Sequence, residues 1–300
     1  MKIIALEEAR KQEFVEFCRR NRSRLDESFL YDEDLEQFSL SPENPTYIAV
    51  NPQGILTGAA SLILGDYSKQ GRKGRFRILH AEEGGEAGIY SALLQAVLPH
   101  TAGLDKLNIF VLTTNSTDMD RIAEAGFAVE RYSYILVREG SEAPEIALPE
   151  GYTLTPFRRG QDEAAWCGVR NPAFATLKGS ETPQSPEMVA KLAAGSDYLE
   201  GGMQLLLHNG KPVGIVRGAN DEYEGRPIMN IGPLALLPEH QGKGLGRMLL
   251  RAALHYAAGR GYGGTMLCVN AENERAKALY TSEGFREVEA AACYAYFLQE

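Results

Sequence analysis

The stretch Pro238-Glu239-His240-Gln241-Gly242-Lys243-Gly244-Leu245-Gly246-Arg247 decides how this chain is read. Before it, Pro227–Leu237 is an apolar run with the character of a buried strand. After it, Leu245, Met248, Leu249, Ala252, Ala253 and Tyr256 recur at helical spacing. A strand, a glycine-rich turn and a helix in that order make a cradle for phosphate. Glycines let the backbone approach a ligand, and the unpaired N–H groups of the helix's first turn point at it. Three kinds of phosphate turn compete for the stretch. A Walker loop needs Ser or Thr after its lysine, and Lys243 is followed by glycine. A dinucleotide fingerprint needs Gly-x-Gly-x-x-Gly, and Gly242-x-Gly244-x-Gly246 has the wrong last interval. Spacing leaves Gln241-x-x-Gly244-x-Gly246.

Composition sets the frame around this turn. Three hundred residues suit two ordinary domains better than one. Apolar residues at 44% and charged ones at 24% describe a globular chain with ample core material. A net charge of −9 argues against broad nucleic-acid binding. The four cysteines (Cys18, Cys167, Cys268, Cys293) have no metal-ligand spacing, so no metal is expected, and Cys268 inside an apolar strand reads as a buried reduced thiol. The opening residues lack a secretory pattern, and no apolar run could span a bilayer. The expectation is a cytoplasmic protein with no membrane partner, acting as monomer or homodimer.

Working outward, the first half gives a helix over Leu6–Arg24, strands at Tyr47–Val50 and Leu56–Leu64, a strand at Phe76–His80 and a helix at Ile89–Leu98. A strand at Leu107–Leu112, a helix at Asp118–Ala125 and a strand pair over Phe127–Val137 complete it. Residues 139–150 hold Gly, Pro and acids without period and read as a linker. The second half gives a strand at Tyr152–Phe157 and helices over Gln161–Cys167 and Ser185–Ala194, the latter capped by Ser185. A hairpin turns at Asn209-Gly210, between Met203–His208 and Pro212–Arg217. After the phosphate turn and its helix come a strand at Thr265–Val269, a helix at Glu274–Glu283, and closing strands at Phe285–Glu289 and Cys293–Phe297.

The second half replays the first. Asn115 and Asn273 are 158 residues apart, as are Gly126-Phe127 and Gly284-Phe285. Leu93-Leu94 and Leu249-Leu250 match at 156, so a short insertion or deletion intervenes. In that register Gly88 stands opposite Gly244, but Tyr90 faces Gly246 and Gly85 faces Gln241. A tyrosine would obstruct a backbone that must approach phosphate. Ile122 stands where the second half has Tyr280. The expected domains are therefore 1–138, a degenerate copy, and 151–300, the working one.

Gln241-x-x-Gly244-x-Gly246, Asn273-x-x-Ala276-x-x-Leu279-Tyr280 and Gly284-Phe285, in that order, resemble the GNAT superfamily of N-acetyltransferases. The resemblance covers most of 151–300 and, weakly, 1–138. The tandem layout, with Gly160…Asp162-Glu163…Trp166…Asn171…Ala173-Phe174, is similar to the mycothiol-synthase type of paired acetyltransferase. It implies an α/β (α+β) fold of two tandem domains, each a mixed, mostly antiparallel sheet flanked by helices. It also implies acetyl-CoA as acyl donor and direct transfer to a primary amine of a small molecule or peptide.

By the resemblance, backbone N–H groups from Gly242 to Arg247, including Lys243, Gly244, Leu245 and Gly246, hold the pyrophosphate, with charge added by Lys243 and Arg247. Leu234, seven residues before Gln241, lies where a strand bulge presents an N–H to the thioester carbonyl. Leu236 pairs its backbone with the pantetheine arm. Tyr280 is the general acid toward the departing thiolate. Asn273 caps a helix and touches the cofactor. The base departs from the pattern. Many relatives carry glutamate eleven residues before the glutamine, and here that residue is Asn230. An amide cannot accept a proton at neutral pH, so Asn230 is left to orient the amine or a water. Glu222, Glu224, His208 and Glu300 are alternatives without distinction among them, and His240 and His255 read as incidental. Two other readings stay open: a non-catalytic acyl-CoA-binding module, and a transferase for a longer acyl chain.

Overall fold

A computed structural model describes residues 1–82 and 88–298. Packing divides the chain into two units, Met1–Ser133 with Glu289–Glu300, and Tyr134–Val288. The sequence reading kept the last strand in the second domain. In the structure, its residues Ala291–Phe297 pair antiparallel with a strand of the first unit, which is why packing groups them there.

In the first unit, β1 (Lys2–Ala5), β2 (Thr46–Val50), β3 (Leu56–Ile63) and β4 (Lys73–Ala81) lie antiparallel in sequence order. β5 (Lys106–Leu112) then pairs parallel with β4. The helices are α1 (Lys11–Asn21), α2 (Asp32–Gln37), α3 (Asp66–Gln70), α4 (Ile89–Val97) and α5 (Ser116–Glu124). β6 (Ala128–Glu139) runs through the expected strand pair as one strand, its residues from Tyr134 belonging to the second unit. Gly126, at φ 95°, supplies the turn into it, so no second break is needed at Arg131. β1, α2 and α3 are 4, 6 and 5 residues long, too short to show a period in the sequence.

The second unit repeats the plan. β7 (Tyr152–Pro156), β8 (Tyr198–His208), β9 (Lys211–Tyr223) and β10 (Arg226–Leu236) are antiparallel neighbours, and β11 (Gly264–Asn270) pairs parallel with β10. The β8–β9 hairpin turns at Asn209 and Gly210, both at positive φ (49° and 78°), the geometry of a type I′ turn. Its helices are α6 (Glu163–Phe174), α7 (Pro186–Leu192), α8 (Leu245–Gly259) and α9 (Glu274–Ser282). α6 runs seven residues past its expected end, through Gly168 and Pro172. Both are poor helix residues, and burial of Trp166, Val169 and Arg170 carries the helix past them. β12 (Arg286–Phe297) is a single strand where two were expected, for the alanines at 290–292 continue the ladder rather than break it.

In each unit the strands are covered on both faces. In the second unit, α8 places Leu245, Leu249, Leu250 and Ala253 on Val213, Met229, Ile231 and Leu267. α6 places Trp166 and Val169 on Met203, Leu205, Ile215 and Ala235 across the other face. The first unit packs α4 on one face, through Leu93, Leu94 and Val97, and α1 on the other, through Phe14, Phe17 and Cys18. Period-2 alternation on the strands makes this possible, since successive side chains serve opposite layers.

The repeat extends to backbone detail. Gly88 and Gly244 are both left-handed N-caps, at φ 83° and 77°. Asn115 and Asn273 both cap a helix by accepting an N–H three residues on. The units differ where Tyr90 replaces Gly246. Tyr90 is buried, and its hydroxyl donates to Asp118 Oδ1 at 3.0 Å and lies 3.3 Å from His80 Nδ1. Asp118 stands at the position of Ala276, and its other oxygen lies 3.2 Å from His80 Nδ1. Gly85, the expected counterpart of Gln241, lies outside the described residues.

Burial pushes the Asp118 carboxyl up, but His80, Tyr90 and Asn115 together hold it below its usual value. A carboxyl lowered in the folded state adds stability above its unfolded pKa of about 4, which is lost as pH falls through the lowered native value. Asp118→Asn should therefore be less stable than the parent by about 1–3 kcal/mol at neutral pH, with the gap shrinking below about pH 4. Urea midpoints measured at several pH values check this; a gap independent of pH would contradict it.

Candidate active site

The turn after β10 is built as a ligand cradle. Pro238–His240 forms one 3₁₀ turn, and Gln241 Nε2 donates back to the carbonyl of Leu236 at 3.1 Å, tying the turn to its strand. Gly242 and Gly244 then take left-handed backbone, at φ 78° and 77°. Side chains at these positions would be strained. No side chain caps α8. Its first-turn N–H groups and the positive end of its dipole are left for an anion.

Beside the turn the sheet opens. β10 and β11 pair only at Met229–Thr265 and Asn230–Met266. One step further along, β10 shifts register against β9 between Ile231 and Leu234, so that one extra residue is accommodated at Gly232 and Pro233, which are joined by a cis peptide. A bulge of this kind re-aims the strand. Leu234 follows it, where the sequence reading expects an irregularity.

A cleft of about 610 Å³ occupies the opening. Leu234, Ala235 and Leu236 form one wall; Gln241, Gly242, Gly244, Gly246 and Arg247 form the floor; Asn273, Arg275, Ala276 and Leu279 face them. The end of α6 and the residues after it, Ala173 to Lys178, complete the rim. There Asn270 Nδ2 donates to the carbonyl of Lys178 at 2.9 Å, and Lys178 lies 3.7 Å from Glu272. Gly246 keeps the floor low: an added Cβ would lie 3.6 Å from Leu279 and 3.8 Å from Leu236, and anything longer would enter the cleft.

The residues singled out from the sequence separate into groups. Leu234, Leu236, Gln241, Gly242, Gly244, Gly246, Arg247 and Asn273 all line the cleft. Lys243 is exposed and is not among the lining residues, and the Leu245 side chain is buried under the sheet, leaving only its backbone for a ligand. Arg247 is engaged: it pairs with Glu283, whose buried carboxylate also takes Arg251 at 2.9 Å. Burial pushes Glu283 up, yet Arg251 and Arg247 hold it below its ordinary value. Arg275, unremarked in the sequence reading, is a lining cation whose Nη2 lies 3.5 Å from the Cβ position of Gly242. It stands inside the Asn273-x-x-Ala276 motif, and its place on the first turn of α9, facing the glycines, was the available signal.

Tyr280 is half-buried, with its ring 6.0 Å from that of Phe285, and it does not line the cleft. Burial, with a smaller contribution from Cys268, pushes its hydroxyl up to about 12. Cys268 itself is exposed, contrary to the expected buried thiol. It lies two residues beyond Met266, the last β11 residue paired to β10, so its face of the strand has lost its neighbour.

Asn230 is half-buried and donates Nδ2 to Asp221 Oδ2 at 2.8 Å. Among the other candidate bases, Glu222 and Glu224 are exposed, Glu224 lies 3.3 Å from Arg226, and His208 stacks on Tyr152 at 4.4 Å. Glu300 lies outside the described residues. His240 bonds the Tyr152 hydroxyl at 2.9 Å, and His255 bonds the Pro144 carbonyl at 2.9 Å. Among the described residues, no group of three His, Cys, Asp or Glu could hold a metal ion, and no helix is long and apolar enough to cross a membrane.

A strand–bulge–glycine turn–helix cradle beside a parted parallel pair is suited to an extended ligand with an anionic end. Residues 174–285 match the acetyltransferase (GNAT) family. The mycothiol acetyltransferase of Kytococcus sedentarius is 31% identical over 209 residues, 67% of this chain and 68% of that protein. That of Saccharomonospora viridis is 32% identical over 216 residues, covering 68% of each. The matches span from about half to about two thirds of such relatives. A GCN5-related N-acetyltransferase from Sphaerobacter thermophilus shares the fold across 100% of this chain and 96% of its own, with TM-score 0.74 at 17% identity. A tandem GNAT protein from the clavulanic acid biosynthesis pathway does so at TM-score 0.70 and 14% identity, over 100% and 99%. The chain belongs to the GNAT family of acetyltransferases, in tandem-domain form. Its class of reaction is N-acetyl transfer.

The two floor glycines are tolerant in opposite ways. Gly246→Ala fits the space and helix preference, and should leave stability unchanged or raise it by up to about 1 kcal/mol. Gly244→Ala must hold alanine at φ 77° and should cost about 1–2 kcal/mol. Urea unfolding of the two variants compares them directly; equal midpoints would refute the contrast.

Proposed function

We propose that this protein transfers an acetyl group from acetyl-CoA directly to a primary amine of a small molecule, and that the second unit carries out the reaction. The observation behind this is the single cleft that unites the α8 N-terminus, the left-handed glycines and the bulged strand end at Leu234. Backbone N–H groups of Gly242 to Arg247 would hold the pyrophosphate, and Arg275 would supply the charge first expected from Lys243. Leu234 N–H would polarise the thioester carbonyl, where a fixed donor acts as negative charge develops on oxygen. Leu236 would pair with the pantetheine arm as a neighbouring strand does. Relatives named for mycothiol favour a small acceptor over a protein one.

Tyr280 is proposed as the proton donor to the leaving thiolate. Its raised hydroxyl stays protonated throughout the neutral range, as a donor must. The first unit is proposed to support rather than catalyse, because Tyr90 and Asp118 take the places of Gly246 and Ala276. Release of free thiol from acetyl-CoA on addition of amines measures the reaction directly.

Isothermal titration should show acetyl-CoA binding to the parent protein and its loss in Gly246→Leu, whose side chain would fill the floor of the cleft. An unresponsive parent, or undiminished binding by the variant, would sink the proposal. Tyr280→Phe should keep cofactor affinity and lower turnover about tenfold, less than general acids often provide because a thiolate leaves readily. Equal turnover by both proteins across pH would remove the acid role.

A further inference from the structure

Resting on the reading above, we infer that Asp221 takes up the proton that the acceptor ammonium must lose, with Asn230 as the residue that positions it. A primary amine is largely protonated at neutral pH and has no lone pair to attack with until that proton departs. Asn230 cannot receive it. It does, however, donate to Asp221 Oδ2 at 2.8 Å, while the backbone N–H of Glu222 donates to Oδ1, also at 2.8 Å. The carboxylate is thus gripped at both oxygens by neutral donors, a geometry that fixes its direction.

Register places this group on the sheet face that α6 covers, outside the lining of the cleft itself. Asn230 pairs with Ala219, and Asp221 is two residues along β9 on the same face. Arg217 shares that face and, past the bulge, so does Ala235, which packs against α6. Asn230 is also the last residue of β10 bonded to β11, four residues before Leu234, and Asp221 stands behind it, opposite Ile228. The charged neighbours fit a free carboxylate. Arg217 on β9 is committed to Asp197 at 2.6 Å, and Arg226 on β10 to Glu224. Across the gap β11 offers Cys268, and β8 brings Tyr198 opposite Ala219. A carboxylate thus stands one strand over from Asn230, held by its amide.

The step balances as follows. One ammonium N–H bond breaks and the proton passes to Asp221 and then to solvent. The nitrogen lone pair forms the C–N bond at the thioester carbon, and the C–S bond breaks. The nitrogen gives up a second proton, and the sulfur gains one, so that the whole turnover releases one proton.

Two small amines test this with acetyl-CoA: ethylamine, which is protonated at neutral pH, and hydroxylamine, which is not. Asp221→Asn should slow ethylamine acetylation about 10²-fold or more at neutral pH and leave its rate rising with pH in step with the free-amine fraction, while changing hydroxylamine acetylation by no more than about twofold. Adding Asn230→Glu to Asp221→Asn should restore the ethylamine rate. Asn230→Ala, which leaves the carboxylate but removes its donor, should give an intermediate loss and covers the case in which Asp221→Asn does not fold. Acetyl-CoA affinity should be the same in all. Equal ethylamine rates and pH profiles for parent and both single variants would overturn the inference alone. No acceleration of either amine by the parent would overturn the proposed function, and the inference with it.

Discussion

A parallel pair of strands that separates leaves two rows of backbone N–H and C=O groups facing each other across a gap, and such groups must find partners. The second unit is arranged around that constraint. β10 and β11 bond at two positions and then part, and a bulge at Gly232 and Pro233 turns β10 away just beyond them. The resulting slot has strand edges for walls and a helix N-terminus for a floor. An extended ligand with amides along its length and phosphates at one end, as proposed above, would suit such a slot. Neither the glycine turn nor the bulge would form a site alone; the parted strands give them a common space.

Charge is arranged more sparingly than the sequence suggests. Of three arginines near the floor, Arg247 and Arg251 converge on Glu283, whose carboxylate is almost wholly buried yet kept ionised by them. That arrangement joins α8 to the end of α9, the two helices flanking the cleft. Arg275 is left facing the turn. Arg275 and the α8 N-terminus are thus the positive groups facing the turn, while Arg247 and Lys178 have acidic partners in Glu283 and Glu272.

Much of this was legible in the sequence, and the exceptions have physical causes. Glycine at forced positive φ, asparagine caps and apolar periods are local, so the turn, the repeat and most elements could be read from residue order. Strand breaks could not, because alanines at 290–292 and polar residues at Arg131 look like interruptions until a neighbouring strand satisfies them. Cys268 was misread for the same reason in reverse: its strand is apolar, but its neighbour has departed. Asp221 was invisible because its significance lies in being diagonal to Asn230 across an antiparallel pair, nine residues away in the chain. Pairing, unlike periodicity, is not written in any one segment.

The buried trio of Tyr90, His80 and Asp118 has a bearing on the history open to this chain. Reopening the first unit to match the second would require glycine at Tyr90, but that single step would strip Asp118 and His80 of a partner in a water-poor interior. Removing Asp118 first would leave the Tyr90 hydroxyl its longer contacts, 3.3 Å each, with His80 Nδ1 and the Ala81 N–H. Either first step gives up the buried Tyr90–Asp118 hydrogen bond while the rest of the network stays in place. The polar plug therefore weighs against reopening this floor by single substitutions, a cost that the glycine floor of the second unit does not carry.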